Sequence, residues 1–274
     1  MAVQSNLFHR VSAAAVFGPL FLVLFWVGGI PLLIGVCAVA ACGTWEYCRM
    51  QKKRGLHPWT GVGVAASLTW CLWLNGFVDR LWLAPVVVIL LVLLTLALGN
   101  REGRFRLADA EATFVGTCYV GLLSGFALLV RNYSGFEPAE AGARWFAVLV
   151  LLGIWGTDIL AYFAGSLWGK RRPFPRISPR KTGAGFAGGM TGAMAVMLAG
   201  GNVLKLYNLP AGIALGIVVG LGALWGDLVE SMIKRNAGVK DASALIPGHG
   251  GVLDRFDSFL FVYPLVYLYL RLFH

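Results

Sequence analysis

Charge is what this sequence has least of. Asp, Glu, Lys and Arg together make up 13% of its 274 residues, against the ~25% typical of a soluble globular domain. That supply is too small for an ordinary wetted surface. A hydrophobic share of 58% excludes disorder, which needs low hydrophobicity and high net charge. Cysteine is also sparse. The five thiols, at positions 37, 42, 48, 71 and 118, form no CxxC pair and have no His at metal-ligand spacing, so they read as small apolar packing groups. No stretch reads as a soluble domain or a long linker. What remains is a polytopic membrane protein.

Apolar runs cover residues 11–28, 30–48, 61–78, 82–99, 113–130, 145–168, 186–204, 209–230 and 257–273. Each is near the ~20 residues that a helix needs to cross a hydrocarbon core, and most are apolar on every side, as spans should be. The expected fold is therefore all-α, a transmembrane helix bundle of about nine spans, with a short turn at Gly28-Gly29 between the first two. The first run reads as a retained helix rather than a cleaved signal peptide. Its n-region offers only Arg10, and a second apolar run follows almost at once.

The net charge of +10 invites a nucleic-acid reading, but its distribution argues otherwise. Eighteen of the 23 Lys and Arg fall at the N-terminus or in the loops after the second, fourth, sixth and eighth runs. They run from Arg10 through the clusters at 49–54, 101–106, 170–181 and 234–255. Only Arg80, Arg131, Arg144, Lys205 and Arg271 fall on the other side. Positive residues gather on the cytoplasmic face, which places the N-terminus inside and the C-terminus outside. Loop cations of this kind face water and lipid headgroups and need no nucleic acid.

The acids, being few, carry more information. Five of the thirteen lie between 227 and 257. An acid inside a span costs about 2.5–3.5 kcal/mol on insertion scales and therefore marks a functional position. Asp158 and Asp227 qualify. Glu46 also qualifies, but it stands about one turn from a basic loop and is expected to pair with Arg49 or Lys53. Asp227, Glu230 and Lys234 recur at i, i+3 and i+7 and share one helical face. A Glu230–Lys234 pair at i,i+4 accounts for Glu230. Asp227 lies deeper, where a bound cation would remove its cost.

The segment 231–257, SMIKRNAGVKDASALIPGHGGVLDRFD, is unlike a connector between spans. It interleaves Lys234, Arg235, Lys240 and Arg255 with Asp241, Asp254 and Asp257, and places glycines at 238, 248, 250 and 251. Glycine lets backbone approach a ligand closely, Lys and Arg neutralise phosphate, and carboxylates on a loop can converge on a hard cation such as Mg²⁺. These are the parts for metal-assisted phosphoryl or nucleotidyl transfer. A second basic loop, GKRRPFPRISPRKTGAGFAGG at 169–189, faces the same side. Its prolines deny it helix. Ser178, Lys181 and the start of the next helix together make a candidate phosphate site, while its six cations would equally hold anionic headgroups.

Residues 231–257 resemble the signature of the phosphatidate cytidylyltransferases (CDP-diacylglycerol synthases). The matching positions are Ser231, Lys234-Arg235, Lys240-Asp241, His249-Gly250-Gly251, Asp254-Arg255 and Asp257. The stretches from Asp158 to Lys170 and from Ile177 to Gly189 resemble the family's other cytoplasm-facing segments. The family often has an aromatic residue and then Glu or Gln after its Ser-Pro-x-Lys-Thr run, whereas Gly183 and Ala184 follow Thr182 here. The resemblance implies transfer of the cytidylyl group of CTP to phosphatidic acid, with Mg²⁺ required and a monovalent cation such as K⁺ beside it. It implies metal binding by Asp227 and Asp254. It also implies nucleotide and phosphate contacts by Lys234, Arg235, Lys240, His249 and Arg255, and Lys170, Ser178, Lys181, Gly250 and Gly251 are further candidate substrate-binding residues.

On this reading, Lys240 and Arg255 stabilise charge on the α-phosphate and the departing pyrophosphate, and Asp241 and Asp257 orient those cations or hold metal water. Asp158 closes the polar cavity. The whole chain, 1–274, is expected to form one integral-membrane catalytic domain, with N-terminal helices over 1–144 and the catalytic half over 145–274. The implied partners are CTP, phosphatidic acid and membrane lipid, and the implied assembly is a homodimer. The implied location is the bacterial inner membrane, with the active site facing the cytoplasm. The glycine stripe Gly212, Gly216 and Gly220 is read as packing inside one subunit. The rival readings are a CTP-dependent lipid or polyprenol kinase and, further off, a cation-coupled transporter.

Overall fold

The computed structural model describes residues 16–76, 84–99, 107–246 and 250–273. Apart from an isolated bridge between Ile246 and Gly250, the regular elements among the described residues are all helical. A helix lies over each apolar run, as it must where backbone polar groups can bond only within their own segment. These are α1 (Val16–Val27), α2 (Gly29–Lys53), α3 (Thr60–Gly76) and α4 (Ala84–Gly99). Then come α5 (Leu107–Arg131, with a π-helical stretch over Thr117–Leu122), α6 (Ala139–Trp168) and α7 (Gly183–Leu204). Last are α8 (Leu209–Asn236) and α9 (Leu253–Phe273).

Six of them, α2 and α5 to α9, are long and apolar enough to cross a membrane. The described parts of α1, α3 and α4 are shorter. The 17 residues of α3 rise ~25 Å, against a ~30 Å hydrocarbon core. Among the described residues, six helices are therefore full-length candidates for crossing, set against the about nine spans expected from the apolar runs.

Several helices outrun their apolar runs. α8 continues to Asn236 and α9 begins at Leu253, so the charges at 227–235 and 254–257 sit largely on helix rather than in loops. Hydropathy falls where charges begin, but a helix continues until its backbone is stopped. Gly238, at φ +67, stops α8: its N–H bonds Arg235 O, and Val239 N–H bonds Lys234 O, both at 3.0 Å.

The chain divides into two compact units, each built from both halves of the sequence: Met1–Phe21, Gly29–Leu128 and Lys234–Phe256 form the first, and Leu22–Gly28, Leu129–Ile233 and Asp257–His274 the second. In the first unit, Trp70 of α3 packs with Ile89 and Leu93 of α4 and Ala110 of α5. Thr44 and Ser67 share a buried 2.7 Å hydrogen bond between α2 and α3. Asp109 accepts the His57 N–H at 2.6 Å, and Thr113 accepts the Trp59 N–H at 3.0 Å, which ties the connection after α2 to α5.

In the second unit, small residues let helices approach closely, the usual device where hydrophobic drive between helices is absent. A Cβ on Gly192 of α7 would lie 2.3 Å from Gly156 O of α6. The stripe Gly212, Gly216 and Gly220 faces Leu198, Met194 and Met190 of α7, so it packs inside the chain. The guanidinium of Arg131 closes the end of α1, donating to Phe25 O at 2.8 Å and Trp26 O at 3.4 Å.

Candidate active site

In the second unit, α8 and α9 meet at a glycine. A Cβ on Gly226 would stand 2.4 Å from Asp257 O and 2.9 Å from Ser258 Cα, so only glycine permits this approach. Ser258 Oγ donates to Ala223 O at 3.1 Å and fixes the contact. The side chains on either side of it are acids. Carboxylate oxygens of Asp227, Glu230 and Asp257 lie within 4.8 Å of one another. Glu230 is fully buried, and the other two are half-buried.

Three carboxylates held this close repel one another unless a cation intervenes. Lys181, from the basic loop before α7, places its ammonium 2.6 Å from Asp227 Oδ2. Ser231 Oγ reaches Asp227 Oδ1 at 3.4 Å, and the Ser258 N–H donates to Asp257 Oδ1 at 2.6 Å. Three hard oxygen donors within one ion's reach fit Mg²⁺, which takes one or two protein carboxylates together with water and substrate phosphate.

In the first unit, carboxylates meet donors instead. Asp254 Oδ1 lies 2.6 Å from the Lys234 ammonium, and Oδ2 accepts the N–H groups of Ala242 at 2.9 Å and Gly251 at 2.7 Å. Gly250, at φ +81, passes so near that a Cβ there would be 2.7 Å from Asp254 Oδ2. Glu46 of α2 is 0% exposed. Its Oε1 accepts Ser243 Oγ at 2.5 Å and the Val252 N–H at 2.9 Å, and its Oε2 accepts the Leu253 N–H at 2.7 Å. The expected pairing of Glu46 with Arg49 or Lys53 is replaced by this contact across the sequence. Burial explains the change: exposed cations on the same helix turn would leave a buried carboxylate unsatisfied, whereas fixed N–H and O–H donors satisfy it.

The expected metal pair, Asp227 and Asp254, therefore falls into different settings. Asp227 joins the acidic trio, while both oxygens of Asp254 are taken by donors from Lys234, Ala242 and Gly251. Lys234, expected to contact substrate, pairs with Asp254. Arg235 is exposed and donates to Val239 O at 3.0 Å. Lys170, Lys240, Asp241 and Arg255 are exposed, and Ser178 is half-buried. Asp158 is exposed on α6. His249 lies outside the described residues.

The start of α7 satisfies much of its own backbone. Thr182 Oγ1 accepts the Gly185 N–H at 3.1 Å, and the Gly183 N–H bonds Arg171 O at 2.9 Å. Glu230 and Glu46 are the site carboxylates that sequence reasoning placed elsewhere. The i,i+3 spacing of Asp227 and Glu230 was the available signal for the first. Nothing local signals the second.

The comparisons with known proteins agree on one family. Residues 8–273 match the cytidylyltransferase family. A Bacillus subtilis protein named phosphatidate cytidylyltransferase is 34% identical over 99% of this chain and 98% of its own length. One of that name from Synechocystis is 32% identical over 96% of each chain. A chloroplastic phosphatidate cytidylyltransferase from Arabidopsis thaliana is 30% identical over 89% of this chain and 68% of its own. With its match running nearly end to end and its acids and cations gathered on α8, α9 and the segment between them, this chain belongs to the cytidylyltransferase family.

Proposed function

We propose that the protein transfers the cytidylyl group of CTP to phosphatidic acid, giving CDP-diacylglycerol and pyrophosphate. The observation that carries this reading is the meeting of Asp227, Glu230 and Asp257 beside Lys181, in a chain of nucleotidyltransferase kinship. Both substrates are polyanions, so the barrier is largely one of charge and alignment. A phosphate oxygen of the lipid is already an anionic nucleophile near neutral pH. It attacks the α-phosphorus of CTP, and the bond to the β,γ-pyrophosphate breaks. No serine or cysteine nucleophile is needed.

The trio Asp227, Glu230 and Asp257 would hold Mg²⁺, and when bound the ion supplies charge neutralisation at the CTP phosphates. Lys181 offsets the negative charge of Asp227 and carries its ammonium to the same place. Lys240 and Arg255, both exposed, neutralise charge on the α-phosphate and the departing pyrophosphate. Asp254 fixes Lys234 and the Gly250-Gly251 turn, which makes it a positioning residue rather than the second metal ligand expected from the sequence. The distribution of Lys and Arg along the chain supports about nine spans, with the N-terminus and the active site on the cytoplasmic side, where CTP is dissolved. Bacterial kin at full length support the inner membrane as the location, and the family resemblance supports a homodimer.

The test uses purified protein in nanodiscs containing phosphatidic acid. Label at the α-phosphate of CTP is expected to enter the lipid. Entry of γ-label alone would make the protein a lipid kinase and overturn the proposal.

A further inference from the structure

We infer that Glu46 is a positioning residue for the reaction: a buried latch on α2 that holds Ser243 and, through Val252 and Leu253, the first turn of α9 in register. The inference rests on the cytidylyl-transfer reading for the step it serves, but its geometry is independent of that reading. A carboxylate at zero exposure is costly unless its oxygens are filled. Here three donors from one loop fill them: Ser243 Oγ, Val252 N–H and Leu253 N–H.

Helix starts are ordinarily capped by a Ser, Thr, Asp or Asn immediately before them. Residues 251 and 252 are Gly and Val, so α9 lacks a side-chain cap of that kind. Its cap comes from a helix some two hundred residues earlier in the chain. Fold stability alone does not call for a charge at this position, since apolar packing serves as well or better than a buried ionic group. What the charge adds is a fixed position for the loop that carries Gly250 and Gly251 and for the turn that carries Asp254 and Arg255.

The latch also accounts for Gly251. A Cβ there would fall 2.6 Å from Glu46 Oε1 and 2.7 Å from Glu46 Cδ. The second glycine of the His-Gly-Gly run is therefore required by Glu46, whatever the nucleotide demands.

The experiment compares wild type with Glu46→Gln and Ser243→Ala in nanodiscs, by steady-state kinetics and by hydrogen–deuterium exchange. In Glu46→Gln an NH₂ replaces one acceptor and faces a donor. Exchange over 243–253 is expected to quicken, and the KM for CTP to rise, each by about tenfold, as for a lost charge-assisted bond. The KM for phosphatidic acid should hold. Ser243→Ala, which removes one donor and leaves the buried carboxylate in place, should move both readouts the same way by less.

Unchanged exchange in both variants would overturn the latch. So would faster exchange with both KM values unchanged, or a fall in kcat that merely tracks loss of folded protein. A wild type that moved no α-label into lipid would instead sink the activity, and the exchange arm would still decide the latch.

Discussion

Asp254 and Asp257 stand three residues apart at the start of α9, yet they are held in opposite ways. Asp254 is surrounded by donors: an ammonium at 2.6 Å and two backbone N–H groups. Its side chain is 6% exposed. Asp257 faces Asp227 and Glu230 instead. The first arrangement is complete within the protein and gains rigidity from charge-assisted hydrogen bonds. The second gathers like charges, which favours a bound cation. Residue type and neighbourhood in sequence are the same for both. The difference lies in what the rest of the chain brings to each: Lys234 and loop N–H groups to one, two further acids across a glycine contact to the other.

The largest effect that would sharpen this contrast is expected at the trio. Asp227→Asn should lower turnover by about a thousandfold, the scale of losing a main electrostatic element of a transfer site. It should also abolish Mn²⁺ binding followed by electron paramagnetic resonance. Asp254→Asn should cost roughly ten- to a hundredfold in turnover through loss of the charge-assisted bond to Lys234, with no change in the Mg²⁺ concentration for half-maximal rate. A shift of that concentration in Asp254→Asn, with none in Asp227→Asn, would reverse the two assignments.

Gly226→Ala tests the contact that assembles the trio. Its Cβ would collide with Asp257 O, so a loss of about 1–3 kcal/mol of stability is expected from overpacking, read as a lower unfolding midpoint together with weaker Mn²⁺ binding. The smallest effect is expected for Lys181→Met. Removing the ammonium that competes for Asp227 should tighten Mn²⁺ binding in the absence of CTP by about two- to fivefold, the range of a partly exposed ion pair. Weaker Mn²⁺ binding in this variant would mean that Lys181 supports the cation rather than competing with it.

The helices were legible from the sequence because membrane insertion demands long apolar runs, and a helix lies over each of the nine. Their ends were not. Hydropathy places the end of the eighth run at 230, whereas backbone bonding carries α8 to Asn236 and stops at Gly238. The stretch 227–257 was legible as the candidate site because five of the thirteen acids lie within it. Which acids converge was not, since Asp254 and Asp257 differ by ~60° around one helix, and sequence does not say what lies on each side. Glu46 was the least legible of all. Its partners are 197 to 207 residues away, and reading along the chain offered only the nearby Arg49 and Lys53.

Three successive N–H groups at the start of α9, those of Gly251, Val252 and Leu253, go to Asp254 and Glu46. In many nucleotide-binding proteins such a cluster of backbone donors grips the phosphate chain, at fixed distances that salt disturbs little. Here protein carboxylates have taken that place. The triphosphate contacts proposed for Lys240 and Arg255 are ionic instead, and salt screens such contacts between exposed groups. Affinity for CTP should therefore decline steeply as ionic strength rises.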